Sequence, residues 1–120
     1  MHDVRLGMVE AQFADMIWQN APLTTRELVS ICARELNWKR TTTYTVLRKL
    51  CEKGIFHMEN SLVTVVIPKE TFSAMQSEQF VEQTFAGSLP SFVAAFTSRK
   101  KLSEKDRAEI KKLLDAFEED

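Results

Sequence analysis

Lys39-Arg40-Thr41-Thr42-Thr43-Tyr44-Thr45-Val46-Leu47-Arg48-Lys49-Leu50-Cys51-Glu52-Lys53-Gly54 is the stretch on which the reading of this chain turns. At about 100° per residue, Thr43, Val46, Leu47 and Leu50 gather on one side of a helix, and Gly54 supplies its stop after Lys53. Thr41, Thr45, Arg48 and Glu52 lie opposite, flanked by Tyr44 and Lys49. The first face predicts a core contact. The second offers hydroxyls, a phenol and cations, a set that suits the base-pair edges of a major groove. A threonine there can meet a thymine methyl or donate a hydrogen bond. Arg48 can pair with a guanine edge or hold the backbone, and Tyr44 can stack or reach a phosphate. Lys39, Arg40 and Thr42 sit at the helix start, where free amides and the helix dipole already favour phosphate. Glu52 on the same face opposes phosphate. Plain solvated surface has a similar composition, so the flanking segments have to decide.

Upstream, Met8 to Trp18 reads as a helix with Val9, Phe13, Met16 and Ile17 inward, closed by Asn20-Ala21-Pro22. Thr24-Thr25-Arg26-Glu27 has the form of a capping box and opens a second helix with Leu28, Ile31, Cys32 and Leu36 inward. Asn37-Trp38-Lys39 is the turn before the third helix. Downstream the period changes: Ile55-Phe56-His57-Met58 and Leu62-Val63-Thr64-Val65-Val66-Ile67 read as two strands joined through Glu59-Asn60-Ser61. Three helices and a hairpin, in that order, predict a winged helix-turn-helix over residues 1–68. This hairpin tip carries no basic residue, so the wing is expected to add little grip on phosphate.

Residues 69–120 are predicted to be helical, giving a mainly α protein with a small β-hairpin wing. Pro68 opens a helix from Lys69 to Ala86, stopped by Gly87. Ser88 caps the next, with Leu89, Phe92, Val93 and Phe96 on one face, and Thr97 to Lys101 reads as a basic linker. Ser103 caps the last, with Ile110, Leu113, Leu114 and Phe117 as its stripe. Short helices need a surface to bury against. They can fold back on the winged helix or pair with a second copy. The second is favoured, because Phe80, Phe85, Phe92, Phe96 and Phe117 put five aromatics in a region too small for its own core. The expected dimerisation residues are Phe80, Phe85, Leu89, Phe92, Val93, Phe96, Ile110, Leu113, Leu114 and Phe117.

The 120 residues carry a formal net charge of −1, which excludes a globally basic nucleic-acid binder. The distribution says more. From Arg34 to Lys53 six bases stand against two acids, a local surplus of four, whereas from Pro68 onward eight bases face ten acids. No apolar run approaches the roughly 18 residues of a membrane span, and the first residues lack the pattern of a signal peptide, so a cytoplasmic location is expected. Cys32 and Cys51 lie in apolar-periodic segments and read as core rather than as a disulfide or a metal site. His2 and His57, the only histidines, pair with no nucleophile, and the carboxylates are scattered. Trp18 and Trp38 read as packing anchors. No enzyme, cofactor or metal is expected.

Taken in order, Ile17-Trp18, Pro22-Leu23-Thr24-Thr25-Arg26-Glu27-Leu28, Trp38, Thr41-Thr42, Thr45-Val46-Leu47, Leu50 and Glu52-Lys53-Gly54 resemble the penicillinase-repressor family (the BlaI/MecI type). Phe85-Ala86-Gly87-Ser88-Leu89 and Leu102-Ser103 extend the likeness into that family's dimerisation region. The resemblance implies a homodimeric transcriptional repressor on an inverted-repeat operator, controlling β-lactam resistance genes. It also implies a membrane sensor-protease partner that leads to cleavage in the C-terminal region. The cleaved bond of the family precedes a Phe before the last helix, which makes Ala95-Phe96 the counterpart here; the best-known members carry Asn where this chain has Ala95. The copper-responsive branch has a C-terminal cysteine cluster that this chain lacks. Two alternatives remain at this stage: a copper-independent regulator of another stress operon, and a protein-interaction module whose third helix docks an acidic partner instead of DNA.

Overall fold

The computed structural model describes residues 3–117, so His2 lies outside it. Its helices are α1 (Met8–Asn20), α2 (Thr25–Leu36), α3 (Arg40–Glu52), α4 (Lys69–Phe85), α5 (Leu89–Arg99) and α6 (Glu104–Ala116). The strands are β1 (Leu23–Thr24), β2 (Phe56–Glu59) and β3 (Leu62–Val65), which form one antiparallel sheet in the order β1-β3-β2. By packing the chain divides into two compact units, residues 1–79 and 80–120.

The first unit is a winged helix. Its core is made of Phe13 and Ile17 from α1, Leu28 and Cys32 from α2, Leu47 and Leu50 from α3, and Ile55, Phe56 and Val63 around the hairpin. Phe72 of α4, 2% exposed, completes it, so this unit's core reaches past Pro68 into the helix that follows. The helix entries are built as the residues dictate. Glu27 N–H donates to Thr24 Oγ1 at 3.1 Å while Thr24 N–H donates to Glu27 Oε1 at 2.8 Å, the reciprocal capping box expected at α2. Asn37, at φ 56°, ends α2 in the left-handed region that Asn tolerates better than most side chains. Asn60 and Ser61, at φ 53° and 62°, form the two-residue turn between β2 and β3.

Several local expectations are corrected. Val9 is half exposed; Phe13, Ala14 and Ile17 form the buried side of α1. Strand β1, which pairs Leu23 with Val63 and Thr24 with Leu62, carries no sequence signal of its own, because two residues are too short to show alternation. Ile55 precedes the first hairpin strand and Val66 and Ile67 follow the second. Instead of pairing in the ladder, the amides of Val66 and Ile67 both donate to Ile55 O, at 2.9 and 3.0 Å.

In the second unit Ser88 caps α5 through the Ser91 amide at 3.1 Å, and Ser103 caps α6 through the Asp106 amide at 3.0 Å. Ala86 and Gly87, at φ 51° and 81°, end α4. Helix α5 runs through Arg99, so most of the stretch from Thr97 to Lys101 is helix rather than linker. Within it Thr97 Oγ1 donates to Val93 O and Ala94 O, and Ser98 Oγ donates to Ala95 O. Phe80, Phe85 and Phe92 form a ring cluster with centroids 5.6–6.0 Å apart, and Phe96 joins at 6.3 Å from Phe92. Neither α5 nor α6 has a buried residue.

Candidate nucleic-acid interface

Helix α3 is fixed to the first unit by Thr43, Leu47 and Leu50, each 1% exposed or less. Burial of that triplet sets the rotation of the helix and leaves Thr41, Thr42, Thr45, Arg48 and Lys49 exposed, with Tyr44 half-buried at the edge. Val46 is half-buried on the core side. Of the residues singled out in the sequence, Lys39, Arg40, Thr41, Thr42, Thr45, Arg48 and Lys49 are thus exposed, with Tyr44 half-buried beside them. The Arg40 guanidinium lies over the Tyr44 ring, 5.4 Å from its centroid, which holds the cation at the start of the helix. Among the described residues no carboxylate pairs with Lys39, Arg40 or Arg48.

Two hydroxyls on α3 are turned inward onto the helix. Thr43 Oγ1 donates to Lys39 O at 3.2 Å and Thr45 Oγ1 donates to Thr41 O at 2.9 Å. Thr45 therefore shows solvent a methyl group and an oxygen whose proton is already used. Such a surface suits an apolar methyl contact better than a hydrogen-bond acceptor.

Lys49, expected as a DNA contact, is engaged by a carboxylate of the same chain. Its ammonium lies 2.9 Å from Glu10 Oε2 at the start of α1. This contact raises the Lys49 pKa above its usual value and lowers that of Glu10. Lys53 is likewise drawn to the first residues, 3.8 Å from Asp3 and donating to Arg5 O at 2.7 Å.

Residues outside α3 widen the surface. A cleft of about 520 Å³ runs between the starts of α2 and α3 and the wing turn, lined by Thr24, Arg26, Ser30, Arg40, Tyr44 and Ser61 among others. Arg26, Ser30 and Ser61 were not singled out in the sequence. The available signal was the helix start at Thr24, since the amides of a helix N-terminus and a cation two residues later suit an anion. The hairpin carries no Lys or Arg, and His57 Nε2 lies 3.1 Å from Glu59 Oε1. Cys32 is buried and Cys51 half-buried, and burial pushes both thiols above their usual pKa. That is the behaviour of packed, unreactive thiols. Trp18 and Trp38 pack on Phe56, Phe72 and Phe13 as anchors.

In the second unit the expected dimerisation side chains split into two groups. Phe85 and Phe92 are half-buried within the ring cluster. Phe80, Leu89, Val93, Phe96, Ile110, Leu113, Leu114 and Phe117 are 43–80% exposed. Ala95 and Phe96 lie inside α5, and both are exposed. Among the described residues no helix is long and apolar enough to cross a membrane.

The model of one protein family, described as penicillinase repressor, matches residues 6–116. No curated protein sequence gives a significant match.

Proposed function

The chain belongs to the penicillinase-repressor family, a family of transcriptional repressors, and from that premise we propose that it binds an inverted-repeat DNA operator as a homodimer. The observation that carries this reading is the accessible face of α3, on which Arg40, Thr41, Tyr44, Thr45 and Arg48 stand without carboxylate partners over a buried Thr43-Leu47-Leu50 side. Helix α3 enters the major groove, Lys39, Arg40 and Thr42 hold phosphates at its start, and Arg48 and Thr45 meet base edges.

A wing without Lys or Arg leaves one copy with a weak hold. Two copies joined through the exposed apolar side chains of α5 and α6 would present two such helices about 34 Å apart, one turn of DNA. Eight large apolar side chains at 43–80% exposure on residues 80–117 support that pairing, because so much uncovered apolar surface is unfavourable in water. The regulated genes are those of β-lactam resistance. Inactivation proceeds by cleavage between Ala95 and Phe96 after a membrane sensor-protease responds. That bond sits within α5, so local unwinding must precede cutting.

Selection of bound duplexes from a random pool tests the reading. It should return an inverted repeat with half-sites about one helical turn apart. Equal affinity for the selected duplex and a scrambled one would refute sequence-specific binding.

A further inference from the structure

Three of the six bases between Arg34 and Lys53 are already answered by carboxylates of this chain: Arg34 by Glu35 at 3.2 Å, Lys49 by Glu10 at 2.9 Å and Lys53 by Asp3 at 3.8 Å. The last two draw on one short stretch, residues 3–10, at the entry to α1. Glu10 is held from two sides. Its Oε1 accepts the Gly7 amide at 3.0 Å, satisfying the start of α1, and its Oε2 faces the Lys49 ammonium. The Glu10 side chain is 21% exposed against 60% for Lys49. The carboxylate is therefore the fixed member of the pair, and the lysine, on its flexible four-carbon stem, is drawn toward it. A phosphate approaching the second half of α3 meets a cation that already has an anchored counter-charge.

We propose that Glu10 sets the strength of DNA binding by keeping Lys49 as an internal ion pair, so that the electrostatic grip along α3 rests on Lys39, Arg40 and Arg48. This rests on the DNA-binding reading above and assigns Glu10, a residue on α1 outside the groove-facing helix, a role in it. Each phosphate contact adds affinity for every sequence alike, including the genomic excess of wrong sites. Withholding one cation per subunit lowers that indiscriminate term and leaves base contacts untouched.

The test is a set of binding constants for the full chain on a random-sequence duplex of about three helical turns, at several salt concentrations. The proteins are the wild type, Lys49→Ala, Glu10→Gln and the double variant. Glu10→Gln keeps an oxygen to accept the Gly7 amide. Lys49→Met, which retains the aliphatic stem, checks that the Lys49→Ala result reflects charge. Lys49→Ala should leave the slope of log K against log salt unchanged. Glu10→Gln should steepen it by about 0.9 per subunit, the value of one added phosphate contact, and Lys49→Ala in that background should remove the gain. The proposal is overturned if Lys49→Ala flattens the slope equally in both backgrounds, or if Glu10→Gln leaves it unchanged. Absence of any duplex binding by the wild type at low salt would overturn the DNA reading itself, and this proposal with it.

Discussion

Trp18 Nε1 donates to the carbonyl oxygen of Ile67 at 3.0 Å, joining α1 to the backbone between the wing and α4. The indole also packs on two rings, with centroids 5.4 Å from Phe56 and 5.6 Å from Phe72. One side chain thus ties the hairpin and the start of α4 to the same helix. Trp18→Phe keeps most of the packing and strands the Ile67 carbonyl, at a cost of about 1–3 kcal/mol in urea unfolding. Trp18→Ala should cost more, about 3–5 kcal/mol, since it also opens a cavity. Equal losses for the two variants would mean that the hydrogen bond contributes nothing beyond the ring.

Opposite faces of α3 should respond differently to truncation. Leu50 is fully buried, so Leu50→Ala should destabilise the first unit by about 2–5 kcal/mol. Arg48 is exposed, so Arg48→Ala should leave the melting curve within about 0.5 kcal/mol of wild type while weakening operator binding by about 1–3 kcal/mol. Calorimetry and fluorescence anisotropy, run on both proteins, separate the two effects. Arg48→Ala binding as tightly as wild type would remove Arg48 from the interface.

The bond from Thr45 to Thr41 O yields a sharper expectation for one base contact. Thr45→Val preserves a methyl toward the groove and should bind the operator within a few-fold of wild type. Thr45→Ala removes that methyl and should bind less tightly, by roughly 1 kcal/mol or a little more. If valine binds as poorly as alanine, the hydroxyl reads the base and the methyl does not.

For dimerisation, Phe96→Asp and Leu113→Asp place a charge on side chains 48% and 62% exposed in one copy. Each should shift the sedimenting species from dimer to monomer and lower operator affinity, because a charge left in a desolvated interface is costly. An unchanged dimer mass for both would place the interface elsewhere.

The α2 capping box gives a pH dependence. The Thr24 amide and hydroxyl bonds hold the Glu27 pKa below its usual 4.5. A depressed carboxylate stabilises the fold above its unfolded-state pKa, and the contribution is lost as pH falls through the folded-state value. Acid titration of the wild type should therefore show a loss of stability below about pH 4.5 from which Glu27→Gln removes the Glu27 share, while Asp3 and Glu10, also held below their usual values, keep theirs. Thr24→Ala should cost about 1 kcal/mol near neutral pH by removing the cap. Superimposable acid profiles for wild type and Glu27→Gln would show that the box carries no linked proton.

Most elements were legible because each carries a local signature. The alternation of Thr43, Val46, Leu47 and Leu50 with polar neighbours marks α3, and the Thr24-Glu27, Ser88 and Ser103 caps mark three helix starts. The mistakes fall where local signals give out. Thr97 to Lys101 reads as a polar, basic linker, yet its first three residues continue α5 to Arg99. Val9 fits an apolar stripe, yet it is half exposed and the core is filled by Phe13, Ala14 and Ile17 in the turns that follow.

The sequence by itself determined the order of elements, the rotation of α3 and which side chains face outward from it, because helical periodicity is a property of neighbours in the chain. Tertiary structure alone decided which of those outward cations are engaged. Lys49 and Glu10 stand 39 positions apart, and no periodicity brings a carboxylate from α1 to within 2.9 Å of α3. The packing of α1, through Phe13 and Ile17, places it there. The two-residue strand β1 has the same origin, since Leu23 and Thr24 become a strand only once Leu62 and Val63 are folded beside them.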